Sequence, residues 1–119
     1  MRFLSIVKSA ENQGPAPQAL MDAMAKLTAD SIKNGSLVQS GGLGASSSGV
    51  RVRSAGGKLT VTDGPFSEAK EVLGGYAVLE FASREAAIEA AIAFMRLHKE
   101  HWPSWEGECE VRQIVFLAP

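Results

Sequence analysis

A chain of 119 residues that is 45% hydrophobic makes one domain, spanning 1–119, and is too short for two. Its 12 Lys and Arg against 13 Asp and Glu give a formal charge of -1, which leaves no basic footprint for a phosphate backbone, so direct nucleic-acid binding is not expected. The single cysteine, Cys109, rules out an internal disulfide, and with no signal-like start and no membrane-length apolar run the expected setting is the cytoplasm, away from membranes.

Arg2 to Lys8 alternates with apolar groups on both faces, Phe3 and Val7 against Leu4 and Ile6, and is predicted to be an interior strand. Pro15 or Pro17 suits the first turn of a helix whose stripe is Leu20, Met24, Leu27 and Ile32, and Asn34-Gly35 ends it. Ser36 to Ser40 follows as a short strand. The Gly/Ser run after it, Ser40 to Gly49, is predicted to be a mobile connecting loop. Val50 to Ala55 and Lys58 to Thr62 flank Gly56-Gly57, which takes the positive φ of a two-residue hairpin turn. With that turn Val52 faces Val61 and Ser54 faces Leu59, while Arg51 and Arg53 lie opposite Thr62 and Thr60. Gly75 to Phe81 is the next strand. Ser83 caps a second helix, from Arg84 to about Lys99, with Ile88, Ala91, Ile92 and Met95 at helical spacing. Pro103 stops it, and Cys109 to Leu117 returns as the final strand.

The predicted order is strand, helix, strand, inserted hairpin, strand, helix, strand. That is an α+β, ferredoxin-like sheet with an inserted β-hairpin, two helices on one face. Two helices shelter one face of a sheet, yet the first strand, the strand at Gly75 and the last strand carry large apolar groups on both. The uncovered face is therefore expected to meet its own copy in a two-fold homodimer.

The most specific stretch is Val61 to Phe81. Asp63-Gly64-Pro65-Phe66, then Ser67-Glu68-Ala69-Lys70-Glu71 and Gly74-Gly75-Tyr76, resembles the signature of the DGPF proteins, a branch of the YCII-related family. Glu110-Val111-Arg112 resembles the Glu-Val-Arg near the end of many of them, so the resemblance runs from Met1 through Arg112. It implies a dimeric α+β barrel with clefts opening between the two sheets. It also implies a transcription-linked partner, an extracytoplasmic-function sigma factor, since DGPF proteins are often associated with these. In some YCII-like relatives a histidine and an aspartate are proposed as a proton-transferring pair. This chain has no histidine in its first strand, first helix or hairpin, and Asp63 alone is carried as the matched catalytic position.

Asp63 has two readings: an acid or base at the mouth of a cleft, or a turn cap whose carboxylate accepts from the amide of Phe66 or Ser67. Phe66 either plugs the core beneath the turn or walls a pocket. Glu68 and Lys70 sit in an alternating charged run that reads as solvated, although Lys70 is placed to neutralise an anionic ligand. Tyr76 presents an apolar ring and a polar tip to a cleft. His98 and His101 fall near a helix C-terminus, where capping carbonyls is the plain role and ligand contact the sharper one. Their spacing with Glu106, Glu108, Cys109 and Glu110 matches no familiar zinc or iron pattern, so no metal is expected, and no organic cofactor is called for. Arg112 either holds Asp63 or a ligand carboxylate, or makes an ordinary cross-strand ion pair. Two functions stay open: a non-catalytic ligand-sensing or partner-binding module, and a small-metabolite enzyme using Asp63 as general acid/base.

Overall fold

The structure is a computed structural model that describes residues 1–66 and 68–116. Its elements are β1 (Arg2–Ser9), α1 (Gln18–Lys33), β2 (Leu37–Gly42), a short 3-10 turn (Ser46–Ser48), β3 (Val50–Ala55), β4 (Lys58–Asp63), β5 (Val72–Glu80), α2 (Arg84–His101) and β6 (Gly107–Gln113). Four strands form one sheet in the order β2-β5-β1-β6, with every neighbouring pair antiparallel, and β3-β4 form a separate two-stranded sheet. With β2 and β5 joined through the hairpin, this is the expected α+β, ferredoxin-like order with an insertion.

Strand alternation divides the main sheet into two unlike faces. Phe3, Ser5 and Val7 of β1 pair with Leu79, Ala77 and Gly75 of β5, and this face lies under the helices. Leu4 and Ile6 pair with Val78 and Tyr76 and look the other way. Among the described residues only Phe3, Leu20 and Ala87 are fully buried apolar side chains, so the core beneath the helices is small.

Local chemistry explains the helix ends. Ser83 accepts the amide of Ala86 and caps α2, as expected. Pro17 is the N-cap of α1 rather than its first helical residue. The Asn34 amide returns to Asp30, and Gly35 takes φ +81°.

Several expectations are corrected. Ile32 falls off the buried side of α1 and is 62% exposed. In α2 the sealed positions are Ala87 and His98, and Ile92 is half exposed. The Ile88, Ala91, Ile92 and Met95 stripe instead overhangs Cys109 and Val111 of β6 in a shallow hollow. β6 ends at Gln113, and Val115 and Phe116 beyond it are exposed; Leu117 lies outside the described residues.

The hairpin has the expected register, Val52 opposite Val61, Ser54 opposite Leu59, Arg51 opposite Thr62 and Arg53 opposite Thr60. Gly56 and Gly57 turn it at φ +59° and +74°. Every one of its strand residues is exposed. No described helix is long and apolar enough to cross a membrane.

Candidate functional site

Two places gather the chemistry of the chain, the turn after β4 and a cavity between the helices and the sheet. At the turn, Gly64 donates its amide to the Gly49 carbonyl at 2.8 Å and packs onto the 3-10 turn so closely that a Cβ would overlap the Ser46 carbonyl. The amide of Phe66 donates to Ser46 Oγ at 3.3 Å. That cap was expected from Asp63; the other donor considered for Asp63, the Ser67 amide, lies outside the described residues. Asp63 itself is exposed, opposite Val50 at the end of β4.

Ser46 is held in turn by Glu11, whose carboxylate accepts its amide at 2.7 Å and its hydroxyl. Those two donors, the hydroxyl first, hold the Glu11 carboxyl below its ordinary value. The Gly/Ser segment read as a mobile loop is thus tied through Ser46 to Glu11 and through Ser46 and Gly49 to the Gly-Pro-Phe turn, and its first residues belong to β2. Phe66 is half-buried beneath the Arg51 guanidinium, 3.8 Å from its ring centroid, with Gly49 against its edge. Arg51 also pairs with Glu68, whose carboxyl is lowered by the Glu68 amide and then by Arg51. Lys70 is exposed. The motif works as a clamp joining the hairpin base to the loop after β1.

The cavity measures about 470 Å³, within the range of small-molecule sites. Val7, Leu27, Leu79 and Phe94 give it apolar walls; Ser5, Ser9, Thr28 and Ser31 add hydroxyls. Ser5 Oγ also lies 3.0 Å from Cys109 Sγ. No aspartate, glutamate, lysine or arginine lines it, so it favours an uncharged guest. Tyr76 adjoins the cavity from β5, while its ring packs over Gly41 on the sheet face turned away from the helices.

His98 is 7% exposed and lines this cavity. Its Nδ1 lies 3.1 Å from the Phe94 carbonyl. A carbonyl only accepts, so Nδ1 carries the proton and, in the neutral ring, Nε2 is left as an acceptor. Nε2 has no hydrogen-bond partner among the described residues, where no side-chain nitrogen or oxygen is both sealed and unpartnered. It is therefore accessible, on a residue that lines the cavity.

The ring is fixed between Phe94 and Trp105, with centroids 4.8 and 4.5 Å away. Trp105 is fixed by Gly107, where a Cβ would overlap the indole, and by the neighbouring Glu106. Glu106 exchanges two hydrogen bonds with the Gln13 side chain, at 2.9 and 2.8 Å. His101 is half-buried at the end of α2.

Arg112 is placed away from both sites. It pairs with Glu110 on its own strand, and the cross-strand partner of Glu110 is Lys8 at 2.6 Å. These cations, Lys8 first, lower the Glu110 carboxyl, and its hydrogen bond raises the Lys8 amine. Of the expected site residues, then, Phe66 and Glu68 meet around Arg51 and Tyr76 and His98 border the cavity. Asp63 does not line it.

The features that sequence reading missed, Glu11 on Ser46, Gln13 on Glu106 and the free Nε2, are contacts between loops far apart in the chain or depend on a side chain's hydrogen-bond direction. The dense run from His98 to Trp105 was the available signal for the last of them.

A ferredoxin-like α+β domain with a glycine-proline clamp and an uncharged cavity under its helices is the class defined so far. The YCII-related domain matches residues 1–102, and the chain belongs to that family. No curated protein matches the chain.

Proposed function

We propose that the protein is a homodimeric small-molecule-binding module whose ligand sits in the cavity between the helices and the sheet. The observation that carries this reading is His98, nine-tenths buried with one nitrogen engaged and the other unpartnered beside an uncharged cavity. Because Nε2 is accessible and no protein donor reaches it among the described residues, a guest that donates to it gains one hydrogen bond of modest net worth. The ligand is a molecule with an apolar body and a hydrogen-bond donor at one end. Homodimerisation accounts for the sheet face bearing Leu4, Ile6, Tyr76 and Val78, and two such faces meeting form the dimeric α+β barrel that the DGPF resemblance implies.

Calorimetry with naphthol and with its methyl ether tests the ligand reading, since the two share a body and only the first donates. Naphthol is expected to bind about five- to tenfold more tightly, the worth of one hydrogen bond. His98→Phe preserves the stack with Phe94 and Trp105 and is expected to erase that preference. Equal affinities for the wild type, or no binding of either, count against the site.

A further inference from the structure

The β3-β4 hairpin is amphipathic, and among the described residues its apolar side is left exposed by its own chain. Val50, Val52, Leu59 and Val61 share one face and are 56, 65, 71 and 70% exposed. Arg51, Arg53, Thr60 and Thr62 form the other. A two-stranded hairpin alone is marginal in water, and an apolar stripe turned to solvent adds nothing to its stability.

The dimensions of the protomer point to what covers the stripe. The radius of gyration is 16.0 Å, against about 13.5 Å for a compact domain of this length. The accessible surface is 8387 Å², where a folded monomer of this mass has about 6,200 Å². The surplus, roughly 2,200 Å², exceeds the ~800 Å² that each partner buries in a standard interface.

We propose that this hairpin is an arm that grips a second copy of the chain. Its valine and leucine stripe lies against the copy along the edge of the sheet side bearing Leu4, Ile6, Tyr76 and Val78, extending the seam in which the two sheet faces meet. The exchange is reciprocal under a two-fold axis, so both uncovered surfaces of each chain are buried at once. The same contact explains why the clamp at Ser46 and Gly64 is so tight: it sets the direction in which the arm leaves the body. The proposal rests on the homodimer reading above and specifies how that dimer is held.

Sedimentation equilibrium on four proteins tests it. The wild type is expected to be a dimer at micromolar concentration. Val52→Thr with Val61→Thr keeps β-branched residues in the hairpin and is expected to raise the dissociation constant at least tenfold. Val52→Glu with Val61→Glu is expected to raise it about a hundredfold or more, because a charge would be buried unpaired. Thr60→Glu, on the opposite face, is expected to remain dimeric. Helical circular dichroism should be unchanged throughout, since every substituted side chain is exposed in the protomer. A wild-type monomer overturns both the dimer and the arm; a wild-type dimer unaffected by either valine pair overturns the arm alone.

Discussion

The backbone carbonyl of Ser46 occupies the space into which a side chain on Gly64 would project. This contact, rather than any special backbone angle, makes glycine the residue between Asp63 and Pro65, since Gly64 is not among the residues with positive φ. Gly64→Ala is expected to cost about 1–3 kcal/mol, as overpacking against a fixed neighbour does. Urea unfolding measures it. A midpoint equal to the wild type would mean that the turn at Ser46–Ser48 gives way freely.

Glu11 makes the same clamp sensitive to acid. Its carboxyl is held below the ordinary value of 4.5 by the Ser46 hydroxyl and amide. A carboxylate lowered on folding contributes stability above its unfolded value and loses it as the pH falls through its folded value. The melting temperature is therefore expected to drop below pH 4.5, and to drop less steeply in Glu11→Gln. Glu68, Glu80 and Glu110 are lowered too, so the informative quantity is the difference between the two profiles.

The fold was legible where a residue's role follows from its neighbours in sequence. Period-two runs located the strands, Ser83 the start of α2, and Gly56-Gly57 the hairpin register. Helix faces were less legible: two apolar stripes run along α2, and spacing alone does not tell the one with Ala87 and His98 from the one with Ile92. Ser46 was invisible for another reason. A serine in a Gly/Ser run reads as loop, and its importance comes from Glu11, 35 positions earlier.

Asp63 illustrates the remaining gap, because its chemistry invited a catalytic role that its position does not favour. It is exposed and does not border the cavity. Asp63→Asn is expected to change stability by no more than about 0.5 kcal/mol, as a surface substitution does, and to leave naphthol affinity unchanged. Lost naphthol binding in a folded variant would return Asp63 to the site.

Gln13 and Glu106 make the last case, because they connect the loop after β1 to the indole that closes on His98. The Gln13 amide donates to the Glu106 carbonyl and to that of Ala10, and accepts from the Glu106 amide. These bonds are exposed, so Gln13→Ala is expected to cost only about 1 kcal/mol in global stability. Its larger effect should be local. With Glu106 released, Trp105 loses one of the constraints that keep it against His98, and the backbone near 105–106 should exchange its amide hydrogens faster. Naphthol should then dissociate faster, with little change in its association rate. Hydrogen exchange and stopped-flow tryptophan fluorescence read the two effects separately. If exchange accelerates but dissociation does not, Trp105 supports the fold without gating the cavity.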